Sequence, residues 1–70
     1  MIIKSGNLLL FSPDALKIEY HGGMEYKYYI VAYKNGHRFF VKGYTQEKPA
    51  RLKLDVLNEK IKAGKEAVEI

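Results

Sequence analysis

The stretch Glu25-Tyr26-Lys27-Tyr28-Tyr29-Ile30-Val31-Ala32-Tyr33-Lys34-Asn35-Gly36-His37-Arg38-Phe39-Phe40-Val41-Lys42-Gly43-Tyr44 consists of two strand-like runs hinged on Asn35-Gly36. Its Tyr, Phe, Val and Ile content suits a pleated, half-buried surface. Asn-Gly between two such runs is the strongest short-range hairpin signal, because a type I′ turn needs positive φ at both central positions. The hinge predicts strands over residues 25–33 and 37–44 and fixes their register. With Lys34 opposite His37, the pairs run Tyr33 with Arg38, Ala32 with Phe39, Val31 with Phe40, Ile30 with Val41, Tyr29 with Lys42, Tyr28 with Gly43 and Lys27 with Tyr44.

Alternation along a strand then sorts the side chains onto two faces. One face carries Tyr28, Ile30, Ala32, Phe39 and Val41, an apolar set suited to receive a helix. The other carries Lys27, Tyr29, Val31, Tyr33, Arg38, Phe40, Lys42 and Tyr44, with basic groups set across from rings. The preceding strand, residues 16–21, shows which face is core. A two-residue Gly22-Gly23 turn would put Leu16, Ile18 and Tyr20 on the aromatic-basic face and bury it. A three-residue loop of Gly22 to Met24 instead sets Leu16 opposite Ile30, Ile18 opposite Tyr28 and Tyr20 opposite Tyr26. It also opposes Glu19 with Lys27, and is preferred because it satisfies the apolar pairing and a charge pair together.

Working outward, Ser5-Gly6-Asn7 and Ser12-Pro13-Asp14 separate further short strands over residues 2–4 and 7–11. Ser12 could also cap a helix with Pro13 at its first position, but the alternation that follows argues for a turn and a strand. After Gln46-Glu47-Lys48-Pro49 the period changes: Ala50, Leu54, Leu57 and Ile61 recur on one helical stripe, with Gly64 placed as a stop. These predict a helix over residues 49–63. Leu52, Leu54 and Val56 also alternate as in a strand, and in a helix Leu52 and Val56 fall opposite the main stripe. That helix is then either covered on two sides or part of a dimer contact. Residues 66–70 suit a final edge strand or a frayed tail. The expected fold class is α+β: a small antiparallel β-meander of four to six strands with one C-terminal helix packed on one face, in a single domain over residues 1–70.

Composition bounds the function. At 70 residues there is no room for a second core, and 47% hydrophobic residues with six Tyr and three Phe place the chain well away from disorder. The absence of Cys removes disulfides and thiolate metal sites. No apolar run is long enough for a membrane span, and Met1-Ile2-Ile3-Lys4 is unlike a signal peptide, so a cytoplasmic location is expected, with no membrane partner. The net charge of +4 favours anionic partners without approaching a histone-like density.

Rings interleaved with cations are what a single-stranded nucleic-acid platform needs, since bases stack on rings while Lys and Arg neutralise phosphates. Lys27, Arg38 and Lys42 supply only three cations, which gives a salt slope of about −2 to −3 and weak monomeric affinity. In outline, the three-stranded sheet followed by a helix, residues 16–63, is similar to the sheet-reading arm domains of some integrases. That likeness is architectural and assigns no residue a role.

The expectation is a non-enzymatic binding module whose contact residues are Lys27, Tyr29, Tyr33, Arg38, Phe40, Lys42 and Tyr44. The partner is nucleic acid or, in the alternative, a protein, including a second copy of the chain in a homodimer. No catalytic dyad is visible, and no glycine spacing matches a phosphate-cradling loop, so neither a cofactor nor a small-molecule substrate is expected. His21 and His37 lie beside turns without a ligand set, so no metal is expected.

Overall fold

A computed structural model describes residues 1–70. Six strands and one helix follow in the order β1 (Ile2–Ser5), β2 (Leu8–Phe11), β3 (Ala15–Tyr20), β4 (Tyr28–Lys34), β5 (His37–Tyr44), α1 (Glu47–Lys62) and β6 (Ala67–Glu69). This is the expected α+β arrangement with a C-terminal helix.

The strands divide between two three-stranded sheets, ordered β2-β1-β6 and β3-β4-β5. The division follows from Ser12-Pro13-Asp14. Ser12 takes a left-handed φ of 46° and Pro13 has no N–H to give to a ladder, so the chain turns a corner here and β2 does not pair with β3. The corner is tied to the second sheet: the Asp14 N–H donates to the Tyr33 carbonyl, the Asn35 N–H to the Asp14 carboxylate, and the Lys34 ammonium to the Ser12 carbonyl. All ladders are antiparallel except β1–β6, which is parallel because the helix carries the chain back along the molecule before β6.

Asn35 and Gly36 adopt φ of 52° and 80°, the positive pair that the hairpin reading required. From there Lys34–His37, Tyr33–Arg38, Ala32–Phe39 and Val31–Phe40 pair as expected. Beyond them the register slips: Ile30 faces Lys42, Tyr29 faces Gly43 and Tyr28 faces Tyr44. Val41 is the extra residue of a β-bulge. The Ser5 hydroxyl, from the first sheet, donates to the Val41 carbonyl and supplies a partner for an acceptor that the bulge takes out of the ladder.

The β3–β4 connection also differs from the three-residue loop. It spans residues 21–27, closed by the His21 N–H donating to the Lys27 carbonyl, so Leu16 faces Ala32, Ile18 faces Ile30 and Tyr20 faces Tyr28. A shift of two residues leaves Leu16, Ile18 and Tyr20 on their expected face, while Tyr26 leaves the strand for the loop. Glu19 therefore opposes Tyr29, not Lys27.

Helix α1 begins at Glu47, two residues before the expected start. Pro49 is tolerated inside its first turn because the N–H groups there have no intrahelical partner, and Glu47 sits favourably at the positive end of the dipole, with Arg51 one turn on. The helix ends in a Schellman motif: Gly64 at φ 75° donates its N–H to Ile61, and the Lys65 N–H reaches the Lys60 carbonyl. Ala50 and Leu57 are buried and Leu54 packs on the core, whereas Ile61, Leu52 and Val56 are exposed. No helix is long and apolar enough to cross a membrane.

One core joins all three layers. Ile3, Leu10 and Val68 from the first sheet meet Ile30, Ala32 and Val41 from the second and Leu57 from the helix. The apolar face inferred from register is thus the core face. The opposite face of β3-β4-β5 points outward.

Candidate binding face

Two clusters occupy the outer face. The first is polar and centres on Glu19 of β3. One carboxylate oxygen accepts from the Tyr33 hydroxyl, while the other accepts from His21 Nε2 at 3.0 Å and from Arg38 Nη1 at 3.1 Å. Three donors surround a carboxylate that is only 18% exposed. The Tyr33 hydrogen bond, followed by those of its other partners, holds the Glu19 carboxyl below the usual carboxylate range against the opposing effect of burial. The same bond raises the Tyr33 hydroxyl pKa.

The second cluster is aromatic. Tyr29 and Phe40 stack with ring centroids 5.0 Å apart and planes at 26°. His21 lies 5.2 Å from Phe40 and edge-on to Tyr29 at 5.8 Å. Tyr26, from the 21–27 loop, stands edge-on to Tyr29 at 6.3 Å. The bulge is what admits Tyr26. It brings Gly43 opposite Tyr29, and a methyl group at Gly43 would lie 2.7 Å from Cδ2 of the Tyr26 ring, so the ring occupies the space that a side chain would fill. His21 links the clusters, bonding Glu19 while its ring packs on Phe40.

The expected contact residues are placed as follows. Tyr29, Tyr33, Arg38 and Phe40 come together on this face. Tyr29 is buried beneath its neighbours and Val31 is fully buried, while Phe40 is 41% exposed. Lys27 lies in the loop and Lys42, exposed, faces Ile30 of the inner register. Tyr44 is carried by the bulge to the core face, where it packs against the core with its hydroxyl shut from solvent and unpartnered. Burial raises its pKa. Cations still meet rings, but within the chain: Lys17 Nζ is 5.5 Å from the Tyr33 ring centre and the Arg38 guanidinium 5.8 Å from that of Phe40.

Glu19, His21 and Tyr26 belong to the site and were not singled out from sequence. Parity could have found Glu19, since it alternates with the core-facing Leu16 and Ile18 neighbours and so shares the outer face with Tyr29 and Tyr33. Nothing local marks Tyr26, whose position depends on the bulge.

Two hollows flank the structure's apolar surface. One, of about 350 Å³, is lined by Leu8, Arg38, Phe39 and Phe40. The other, about 590 Å³ and open, runs along the outer side of α1 past Leu52, Val56 and Ala63, so the second apolar side of the helix is uncovered. No set of three metal-ligating side chains converges. Comparisons with protein-family models, curated proteins and solved structures return no match for this chain.

Proposed function

We propose that the chain is a non-enzymatic binding module whose contact surface is the outer face of β3-β4-β5, and that its partner is a protein. The observation that carries this reading is the internal commitment of the face. A nucleic-acid platform needs open ring faces and unpaired cations. Here Tyr29 is stacked under Phe40, Lys27 and Lys42 lie off the Tyr29–Phe40 register, and of the three expected cations only Arg38, one of whose donors goes to Glu19, stays beside the rings. What the face offers a partner is an apolar centre, the exposed rings of Phe40 and Tyr26 that both pack on Tyr29, beside the hydrogen-bonded Glu19, His21, Tyr33 and Arg38. Aromatic and Arg anchors within a polar rim are the composition of protein interfaces.

A photo-crosslinking side chain placed at position 40 tests the reading, with position 52 on the helix as control. Adducts to protein at position 40, unaffected by nuclease and absent at position 52, are expected. Nuclease-sensitive adducts at position 40, or protein adducts at position 52 alone, would overturn it.

A further inference from the structure

We infer that the free edge of β5 binds an extended acidic segment of a partner protein as an added strand, which rests on the reading of this sheet as a protein-binding surface. Phe39 and Phe40 are neighbours in a strand, so their side chains leave on opposite faces. A hollow lined by both must straddle the strand's edge. β4 occupies one edge of β5, so the hollow lies on the other, and Leu8 of β2 forms its far wall. It is a slot between the open edges of the two sheets.

The slot has a defined length. At one end the Ser5 hydroxyl takes the Val41 carbonyl, and at the other the Asn35-Gly36 turn ends the strand. Between them Arg38 and Phe40, in the non-hydrogen-bonded pairs with Tyr33 and Val31, turn their N–H and C=O groups away from β4 and present the unpaired donors and acceptors that an added strand satisfies. The walls differ by face. Leu8 and Phe39, both packed against the core, make the inner wall apolar. Arg38 is the slot's one charged residue, and its side chain is 52% exposed, with Nη1 alone donating to Glu19. The remaining guanidinium donors are open to a second carboxylate. An inserted strand therefore matches when apolar residues alternate inward with carboxylates outward. Charge complementarity with Arg38, in a chain of net charge +4, selects acidic over basic segments.

The test is a titration of the isotope-labelled chain with a blocked eight-residue peptide alternating valine and glutamate. Saturable shifts across His37 to Phe40 and slowed amide exchange at Arg38 and Phe40 are expected, with affinity lowered at least about tenfold in Arg38→Gln, whose unchanged melting temperature would show that it folds. A valine–lysine peptide of the same length should leave these amides unmoved. No response to the glutamate peptide at millimolar concentration, or an equal response to the lysine peptide, would overturn the slot. Shifts around Tyr26 and Phe40 without slowed exchange would overturn the slot while supporting the face as a protein-binding surface. Displacement of the peptide by a single-stranded oligonucleotide would overturn both.

Discussion

The Tyr33 hydroxyl donates to the Glu19 carboxylate across the outer face of the sheet, and this bond shifts the two groups in opposite directions, Glu19 down and Tyr33 up. It therefore links stability to pH at both ends of the scale. For a carboxyl whose folded pKa is depressed, the unfolded chain binds the proton more readily, so the stabilisation is present above the unfolded value near 4.5 and is lost as pH falls through the lower folded value. For Tyr33, whose folded pKa is raised, stabilisation is present below about 10 and is lost as pH rises through the folded value. Melting temperature should fall on acidification below about pH 4.5, and Glu19→Gln should flatten that fall. Thermal melts of both proteins from neutral to acidic pH check it.

Two tyrosines should respond oppositely to loss of the hydroxyl. Tyr44 buries its hydroxyl without a partner, so Tyr44→Phe should leave stability unchanged or raise it by up to about 1 kcal/mol. Tyr33→Phe removes a donor to a carboxylate and should destabilise. Urea unfolding of the pair distinguishes a tyrosine facing the core from one facing the site.

Gly43 matters for the space it leaves. The methyl group of Gly43→Ala would press on the Tyr26 ring, so the ring must move and the 21–27 loop with it. A cost of about 1–3 kcal/mol is expected, together with loss of the contacts between Tyr26 and Tyr29 in proton NMR. Retention of both stability and those contacts would show that Tyr26 does not depend on the bulge.

The core makes a more ordinary demand. Leu57 is fully buried in the core that the helix shares with the two sheets, so Leu57→Ala should cost about 2–5 kcal/mol by chemical unfolding. Leu52→Ala, on the uncovered side of the same helix, should change stability little.

Much of the fold was legible because local chemistry and pattern agree at particular residues. Asn35-Gly36 has one comfortable geometry, and the Ala50, Leu54 and Leu57 stripe has one face to bury. What escaped depends on contacts distant in sequence. The Val41 bulge is bonded by Ser5, which lies 36 residues away, and its effect is to exchange Tyr44 for Gly43 on the outer face. The 21–27 loop escaped for a different reason: pairings displaced by two residues keep the same faces, so alternation cannot choose between them. Placing Ile18 against Ile30, deep in the core, decides it. The division into two sheets hinges on Ser12-Pro13-Asp14, which reads equally as a hairpin turn until its bonds to Tyr33 and Asn35 are known. Of the expected site, Tyr29, Tyr33, Arg38 and Phe40 converge because they precede the bulge or lie opposite one another across it, whereas Lys42 and Tyr44 follow it.

The most direct measurement is an NMR titration of the labelled chain with a mixture of short single-stranded oligonucleotides at low salt, where electrostatic binding is strongest. If the outer face keeps too few cations beside its rings to track a phosphate backbone, the amides of Lys17, Tyr26, Arg38 and Phe40 stay in place up to millimolar oligonucleotide. Shifts at those residues that saturate, and that fade as salt is raised, would contradict the proposal and return the face to nucleic acid.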